Sequence, residues 1–344
     1  MLRLHAIIAA CFFLVSCSDR ANQQPYLIEL NGNALGTTWA VKVLPYKVID
    51  SENLKKSINQ RLAQGEKIFS HWRKDSDLSK FNSNKSTEPV SIHPEIHELL
   101  KHAQWMHQQT AGTFDPAIGQ IVNLWGFGPD GKNRSKIPKD EEVVEALHSS
   151  GMNQLELLPE HRVCKKHPDL KLDLSGSAKG EIIDQISELL ERYGLQNYLV
   201  EIGGEVRAHG RGKKGNGWIV GLERGKEGKG EMVSVPLRNY AVATSGTYRL
   251  KKPNPKSPRN ASHLLNPQTG YPVEHHLIAV NAFAPTARDA DAWATALMVL
   301  GLKKGMKKAE EMNLVARFCE EEDGKIEFYT STAYQRLFSA KNNL

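Results

Sequence analysis

The chain contains few cysteines for its length, with 4 in 344 residues. Cys11 and Cys17 lie close to the N-terminus, which leaves Cys164 and Cys319 in the rest of the chain. Two cysteines are too few for a disulfide framework, so a small disulfide-rich scaffold is excluded. The sequence alone leaves open whether these two pair with each other.

The chain also lacks a concentrated charge of one sign. Its net charge of +6 is modest and is spread over many lysines. A nucleic-acid-binding protein would gather basic residues on one element with interleaved aromatics, so we expect no nucleic-acid partner. Hydrophobic content of 40% and charged content of 24% are typical of a globular protein.

Motifs of the common nucleotide-binding folds are missing or misplaced. Residues 210–215 match G-x-G-x-x-G in letters, but the strand-like Trp218-Ile219-Val220 follows where that fingerprint needs a helix. The regular βαβ rhythm of a doubly wound sheet is absent. Helices and strands are instead mixed along the chain, which predicts an α+β fold.

The N-terminus has the pattern of a bacterial lipoprotein signal. A basic start is followed by a short apolar run that ends in Leu14-Val15-Ser16-Cys17. We expect residues 1–16 to be removed, Cys17 to carry the lipid, residues 17–26 to form a tether and residues 27–344 to form one domain. The protein would then be exported and held at a bacterial membrane, facing the periplasm. An ordinary secretory signal cut nearby is the alternative.

Hydrophobic periodicity predicts the main elements. The second predicted helix carries four histidines, which we expect on a solvated face rather than in a metal site (His93, His97, His102, His107). The predicted elements are a strand or hairpin over 27–43 around Gly36, helices at 51–69, 93–109, 177–195 and 303–312, strands at 198–206, 218–222 and 232–235, a hairpin tip at 221–230, a surface loop at 128–140, and a β-turn at 322–325. Ser177 is expected to cap the third helix, and Pro236 to stop the last strand.

The stretch Arg288-Asp289-Ala290-Asp291-Ala292-Trp293-Ala294-Thr295-Ala296 opens an apolar helix that is predicted to end at Gly301. Asp291 and Thr295 are four residues apart and therefore share one helix face. A carboxylate and a hydroxyl beside small alanines suit Mg²⁺, which prefers oxygen ligands. Asp289 is expected to point elsewhere and to tolerate substitution. The alternative is a capped core helix with one solvated aspartate.

Several clusters combine glycines with hydroxyls and acids. Glycine beside Ser or Thr lets backbone amides approach an anion, and a helix N-terminus adds its dipole. With the Asp291 and Thr295 pair, these clusters predict a phosphate-bearing ligand held together with Mg²⁺. They are Leu35-Gly36-Thr37-Thr38-Trp39, residues 75–82, residues 112–119, residues 173–180 with Asp184, residues 243–246 and residues 262–270.

These motifs, in this order, resemble the ApbE family of FAD:protein FMN transferases over about residues 32–301. The resemblance implies an α+β fold of mixed, mainly antiparallel sheets with packed helices, arranged as two interleaved lobes around an FAD cleft. The shared motifs include L-G-T-T-W, D-S-x-L-S-x-F-N, G-x-F-D-P, D-L-S-x-x-A-K-G-x-x-x-D, G-G-E and H-x-x-N-P-x-T-G. The resemblance implies a Mg²⁺-dependent reaction in which FAD is split and FMN is joined through phosphate to a threonine of an acceptor protein, with AMP leaving. Implied acceptors are subunits of membrane redox complexes such as the sodium-pumping NADH:quinone reductase or Rnf.

The resemblance also implies the roles of particular residues. Asp291, Thr295 and the backbone carbonyl of Ala178 would bind the metal, and His263 would lie near the reacting phosphate. The residues expected along FAD are Leu35, Asp115, Lys179, Asp184, Glu205, Thr244 and His263. Leu35 stands where the family commonly has Met, Asn266 where Asp is frequent, and Trp293 where a smaller apolar residue is also common.

The chemistry itself favours the same residues. Phosphoryl transfer needs in-line positioning and neutralisation of negative charge. A nearby group must accept the proton of the incoming hydroxyl, and His263 has a suitable intrinsic pKa, although it could instead be structural. Two alternatives remain open: an FAD pyrophosphatase that releases FMN and AMP, and a non-catalytic FAD-binding lipoprotein.

Overall fold

The computed structural model describes residues 26–131, 136–222, 233–247, 251–252 and 261–339. The predicted signal, Cys17 and most of the tether lie outside these residues, as does most of the predicted hairpin tip at 221–230. No helix in the described part of the chain is long and apolar enough to cross a membrane.

Eight helices and fifteen strands make up the described structure. The helices are α1 (Ser51–Phe69), α2 (Asp77–Ser83), α3 (Pro94–Gln109), α4 (Gly119–Leu124), α5 (Asp140–His148), α6 (Ala178–Arg192), α7 (Ala287–Glu311) and α8 (Thr332–Ser339). The strands are β1 (Ile28–Ala34), β2 (Thr37–Val43), β3 (Val90–Ser91), β4 (Leu155–Leu158), β5 (Arg162–Lys165), β6 (Tyr198–Ile202), β7 (Glu205–His209), β8 (Trp218–Leu222), β9 (Val233–Leu237), β10 (Tyr240–Gly246), β11 (Lys251–Lys252), β12 (Ala261–Ser262), β13 (Leu277–Ala284), β14 (Val315–Glu322) and β15 (Lys325–Thr330).

One large sheet organises the fold. Its eight strands follow the order β1-β2-β6-β7-β10-β13-β14-β15, and every neighbouring pair is antiparallel. The smaller sheets are β3-β5-β4, β8-β9 and β11-β12. The predicted α+β class with mainly antiparallel sheets is therefore confirmed.

The two faces of the large sheet bury different cores, because successive strand residues point to opposite faces. Along β10, Ala241 and Ala243 belong to the main core, which α1, α6 and α7 share. Val242 between them belongs to a second core, formed with the β8-β9 hairpin and α8. Residues 241–243 of β10 are thus buried on both faces, and the half-buried Thr244 and Ser245 follow them near the end of the strand.

The first hairpin turns at Leu35 and Gly36, as the sequence predicts. Both residues have positive φ, 55° and 72°, and Ala34 pairs with Thr37 across a two-residue loop. This is the type I′ geometry that matches the twist of a hairpin. Leu35 is unusual at such a position, where glycine or asparagine is favoured, and the turn presents its side chain to the cavity described below.

The predicted single strand over 198–206 is wrong. The chain reverses at Gly203 and Gly204, with φ of 58° and 99°, and forms the hairpin β6-β7. Glycine tolerates these angles because it has no Cβ. The turn places Glu205 at the very start of β7, pointing inward.

Two smaller predictions also fail. Pro236 does not stop β9 but lies within it, opposite Ile219 in the two-stranded β8-β9 sheet; a strand with a free edge tolerates the missing N–H. Ser177 precedes α6, but its side chain makes no capping hydrogen bond.

The surface loop predicted at 128–140 ends where α5 begins, at Asp140.

Helix α7 contains the predicted break. Gly301 has φ 73° and ψ 175° inside the helix, so two helical segments meet there. The sequence prediction of one helix ending at Gly301 and another over 303–312 is thus confirmed. Cys164 is a free thiol and therefore does not pair with Cys319, and burial raises the pKa of Cys319 to about 11.

The histidines of α3 are not a solvated face. His97 is buried, with 3% of its surface exposed. His102 Nε2 lies 2.7 Å from Asp289 Oδ1, and His107 Nδ1 lies 3.3 Å from Asp115 Oδ2. Contacts with α7, which is remote in sequence, and with the 113–118 loop, which follows α3 closely, cover this side of α3.

Candidate active site

A cavity of about 510 Å³ collects the motif residues from distant parts of the chain. Its volume is in the range of small-molecule sites. The wall includes Leu35, His71, Trp72, Thr113, Phe114, Asp115, Pro116, Phe127, Asp173, Ser175, Gly176, Lys179, Glu205, Thr244, Ser245, Gly246, His263, Leu264, Pro267, Asp291, Thr295 and Val299.

Asp291 is the buried acid of this cavity, with 5% of its surface exposed. Its Oδ2 accepts a hydrogen bond of 3.2 Å from the Gly180 N–H, in the first turn of α6. Burial and the neighbouring Glu205 raise the pKa of Asp291 to about 7, against the opposing effect of Lys179. A cation bound at this wall would offset the effects of burial and of Glu205 and would keep the carboxylate ionised.

Thr295 lies one helical turn after Asp291 and lines the same cavity. Its Oγ1 is 3.3 Å from Ser245 Oγ at the end of β10. Gly176 comes so close that an added Cβ would lie 3.2 Å from Thr295 Oγ1 and 3.3 Å from Phe114. The glycine thus keeps space open beside the hydroxyl, and the predicted shared face of Asp291 and Thr295 is present.

Lys179 and Glu205 form an ion pair on the same wall. Lys179 Nζ is 2.5 Å from Glu205 Oε2, and Glu205 is 4% exposed. The ammonium group of Lys179 therefore faces two carboxylates, those of Glu205 and Asp291, so this wall keeps a net negative charge. Such a wall favours a divalent cation between it and an anionic ligand.

Thr244 and His263 occupy other parts of the wall. Thr244 Oγ1 accepts a 2.8 Å hydrogen bond from Asn281 Nδ2, and Asn281 Oδ1 in turn accepts one of 2.9 Å from Arg317 Nη1. The His263 ring packs edge-on against Phe127, with ring centroids 6.3 Å apart. Thr244 is thus supported by residues outside the cavity, whereas His263 packs against another residue of the wall.

Asp184, in contrast, is not part of the cavity wall. Its carboxylate accepts hydrogen bonds from the backbone N–H groups of Ala287, 2.8 Å, and Arg288, 2.9 Å. It also pairs with Arg207 at 2.5 Å. Asp184 therefore anchors the start of α7, and its expected position along FAD stays a prediction.

Asp115 lines the cavity, but its oxygens are used by the backbone. Oδ1 accepts from the Ala117 N–H at 2.8 Å and Oδ2 from the Met152 N–H at 2.9 Å. Its hydrogen bond with His107 raises the pKa of that imidazole. Asp115 thus fixes the shape of the 113–118 loop. Ala178, the first residue of α6, is next to Lys179, and metal binding by its carbonyl stays a prediction.

The sequence analysis missed a histidine–aspartate pair in the wall. His71 Nδ1 is 3.5 Å from Asp173 Oδ1. Burial opposes ionisation of Asp173, but hydrogen bonds with His71 and Ser175 outweigh it and lower its pKa to about 2. Burial likewise acts to lower the pKa of His71, and the bond with Asp173 outweighs it and raises that pKa. No sequence pattern marks His71 and its neighbour Trp72, because they follow α1 as ordinary loop residues.

Asp289 turns away from the cavity, as predicted from the helix phase. It is not, however, a solvated residue, because its carboxylate accepts the 2.7 Å hydrogen bond from His102. Asp289→Ala would leave the largely buried His102 without that partner, and the expectation that Asp289 tolerates substitution stays a prediction.

The fold and the cavity define an α+β protein with a cleft of small-molecule size, lined by a buried acid, hydroxyls and an ion pair. A model of the ApbE family matches residues 35–318 of the chain. The FAD:protein FMN transferase of Haemophilus influenzae is 33% identical over 342 residues, which cover 97% of each chain. That of Escherichia coli K12 is 29% identical over 346 residues, covering 98% of each.

Solved structures agree with these relatives. The flavin transferase ApbE from Vibrio cholerae matches with a TM-score of 0.83 and 32% identity, covering 91% of this chain and 99% of that one. The apo form of the Pseudomonas stutzeri flavinyl transferase ApbE gives 0.84 and 32%, covering 91% and 97%. The chain belongs to the ApbE family and is an enzyme of the transferase class.

Proposed function

We propose that this chain is a Mg²⁺-dependent FAD:protein FMN transferase. A threonine oxygen of an acceptor protein bonds to the phosphorus of the FMN half of FAD, the pyrophosphate bond breaks, and AMP leaves with the bridging oxygen. The threonine proton passes to a group of the enzyme or to solvent. The observation that carries the proposal is the position of Asp291 and Thr295 on the wall of the cavity that the other motifs line.

The residues at this wall fit Mg²⁺. Asp291 offers a buried carboxylate whose pKa lies near 7 because of burial and Glu205, so a cation there has a charge to stabilise. Thr295 and the carbonyl of Ala178 add neutral oxygens, the ligand type that Mg²⁺ takes. When bound, the ion would neutralise negative charge on the transferred phosphoryl group.

The chain's own residues would position FAD. Lys179 supplies a positive charge beside the phosphates, while Glu205 holds its ammonium group at 2.5 Å. Leu35 gives an apolar contact from the hairpin turn, and Thr244 gives a hydroxyl held by Asn281. Asp115 and Asp184 act indirectly: they fix the 113–118 loop and the start of α7.

His263 is our candidate for accepting the threonine proton. It lines the cavity and is partly exposed, so an acceptor side chain can reach it. Imidazole accepts a proton near neutral pH. His71 lines the same cavity but is committed to Asp173, which makes it a less suitable base.

The location and the acceptor are further parts of the proposal. The sequence pattern before Cys17 supports export and lipidation, with residues 17–26 as a tether to the membrane. An acceptor in a membrane redox complex, such as a subunit of the sodium-pumping NADH:quinone reductase or Rnf, would then lie on the same surface. Cys17→Ala should release the protein from the membrane fraction or leave it uncleaved. A correctly cleaved variant that still fractionates with membranes would contradict lipidation.

The experiment is incubation of the protein with FAD, Mg²⁺ and a candidate acceptor, followed by denaturing electrophoresis. We expect a fluorescent flavin band at the acceptor, which is lost with EDTA and with an acceptor whose target threonine is replaced by alanine. FMN and AMP released without labelling would identify a pyrophosphatase, and bound but intact FAD would identify a non-catalytic carrier.

A further inference from the structure

Outside the cavity, three metal-ligating side chains meet between α3 and the turn that joins β4 to β5. They are His97, Glu98 and His161, and one ligand atom of each lies within 4.8 Å of the others. His97 Nδ1 is 3.9 Å from Glu98 Oε1. The two imidazole rings are edge-on, with centroids 5.3 Å apart and an interplanar angle of 84°.

His97 is oriented as a metal ligand would be. It is 3% exposed, and its Nε2 lies 3.0 Å from the carbonyl oxygen of Leu158. A carbonyl accepts a hydrogen bond, so the proton is on Nε2 and the lone pair is on Nδ1. Nδ1 is buried and has no hydrogen-bond partner among the described residues. A backbone carbonyl that fixes the far nitrogen of an imidazole is the usual support of a metal-bound histidine.

The other two residues can adjust to a ligand. Glu98 and His161 are exposed, so their side chains can move without disturbing the core. The backbone of His161 is fixed, since its carbonyl accepts a 2.9 Å hydrogen bond from the Ile92 N–H. Tetrahedral coordination at 2.0–2.1 Å places ligand atoms about 3.3 Å apart, which small side-chain movements achieve here.

We propose that His97, Glu98 and His161 bind a divalent transition-metal ion, with water in the fourth position. Two imidazoles and one carboxylate form a ligand set that suits Zn²⁺. It differs from the oxygen-only set at Asp291, which suits Mg²⁺. The bound ion would link α3 to the β4–β5 hairpin, and the proposal stands independently of the proposed function.

Lys101 competes with the metal for Glu98. Its Nζ lies 2.8 Å from Glu98 Oε1, and its side chain is 54% exposed. An incoming ion must displace this ammonium group or share the carboxylate with it. Replacing the lysine by a neutral residue should therefore tighten metal binding, whereas removing a true ligand weakens it.

The test is titration of Zn²⁺ into the full chain by calorimetry, with excess Mg²⁺ present to occupy the Asp291 site. We compare wild type with His161→Ala, Glu98→Gln, Lys101→Met and His148→Ala. His97 is left intact, because a buried residue could fail to fold when replaced. His148 is a matched control: it is exposed and pairs with another histidine, His167, at a ring distance of 5.7 Å.

We expect one equivalent of Zn²⁺ in wild type and in His148→Ala. Affinity should fall at least about tenfold in His161→Ala and Glu98→Gln, since even loss of an outer support costs about 10–100-fold, and it should rise in Lys101→Met. Zn²⁺ should also raise the melting temperature of wild type but not of His161→Ala. Equal binding in wild type and His161→Ala, or loss of binding in His148→Ala alone, would overturn the proposal.

Discussion

The Gly180 N–H donates a hydrogen bond of 3.2 Å to Asp291 Oδ2, across 111 positions of sequence. This bond joins the first turn of α6 to the second turn of α7, and with them the two motifs that carry the proposed metal ligands. The close approach depends on the missing side chain of Gly180, because an added Cβ would lie 2.3 Å from the Ala287 carbonyl oxygen.

Gly180→Ala should therefore destabilise the protein and weaken Mg²⁺ binding together. The clash is with backbone, which cannot rotate away, so the cost should be at least about 1–3 kcal/mol. Thermal unfolding and Mg²⁺ titration measure the two effects. Gly324→Asn is the control, since it lies in the β14–β15 turn at φ 77° with nothing within 4 Å of an added Cβ. Unchanged stability in Gly180→Ala would contradict the packing described here.

Substitutions at the proposed metal site should follow a fixed order. Asp291→Asn removes the charged ligand and should lower Mg²⁺-dependent turnover about 100-fold or more. Thr295→Ala should lower turnover less than Asp291→Asn does, because water can replace a neutral hydroxyl. Thr295→Ser keeps the hydroxyl and should retain most of the wild-type turnover. Initial rates at several Mg²⁺ concentrations separate weaker metal binding from slower chemistry. A larger loss in Thr295→Ala than in Asp291→Asn would reverse the assigned roles.

The stability of the metal-free protein should depend on the protonation of Asp291. Its pKa is raised to about 7 by burial and Glu205, above the usual value of about 3.9 for the unfolded chain. The contribution of protonated Asp291 to stability is therefore fully present below about pH 4 and is lost as the pH rises through about 7. In EDTA, the free energy of unfolding should fall more for wild type than for Asp291→Asn between about pH 5 and about pH 8.

Mg²⁺ should restore the lost stability of wild type at the upper pH and should have little effect on Asp291→Asn. Asp323→Asn, in an exposed turn, should follow wild type throughout. Parallel pH curves for wild type and Asp291→Asn would show that Asp291 does not titrate in this range.

His263→Ala should lower kcat more than it changes KM for FAD, if the imidazole accepts the threonine proton. A general base contributes about 10²–10⁴ in rate, and the acid limb of the kcat pH profile should disappear with it. His148→Ala, at an exposed histidine remote from the cavity wall, should leave both unchanged. A raised KM with normal kcat and an intact acid limb would make His263 a binding residue.

Local patterns in the sequence predicted what local forces decide. The turn at Leu35 and Gly36 and the break at Gly301 both follow from residue type. The helix phase of Asp291 and Thr295 was also readable, because it depends only on four-residue spacing. The family motifs then added Lys179, Glu205 and His263, which the structure places on the same wall.

Contacts between distant segments were not predictable in this way. The motif predicts that Asp184 contacts the ligand. Its carboxylate accepts hydrogen bonds from the first backbone N–H groups of α7, about 100 residues further along the chain. The helix periodicity predicts His97 on a solvated face, yet the β4–β5 hairpin buries it. His71 carries no sequence signal at all, since only the fold brings it to Asp173.

The amount of AMP formed for each acceptor that gains FMN is the most direct test of the proposed transfer of FMN. With FAD, Mg²⁺ and acceptor, AMP is measured by chromatography and the acceptor is weighed by intact-mass spectrometry. We expect one AMP for each acceptor that gains FMN, no accumulation of free FMN, and little AMP when the acceptor is left out. AMP matched by free FMN at a rate that does not depend on the acceptor would contradict it.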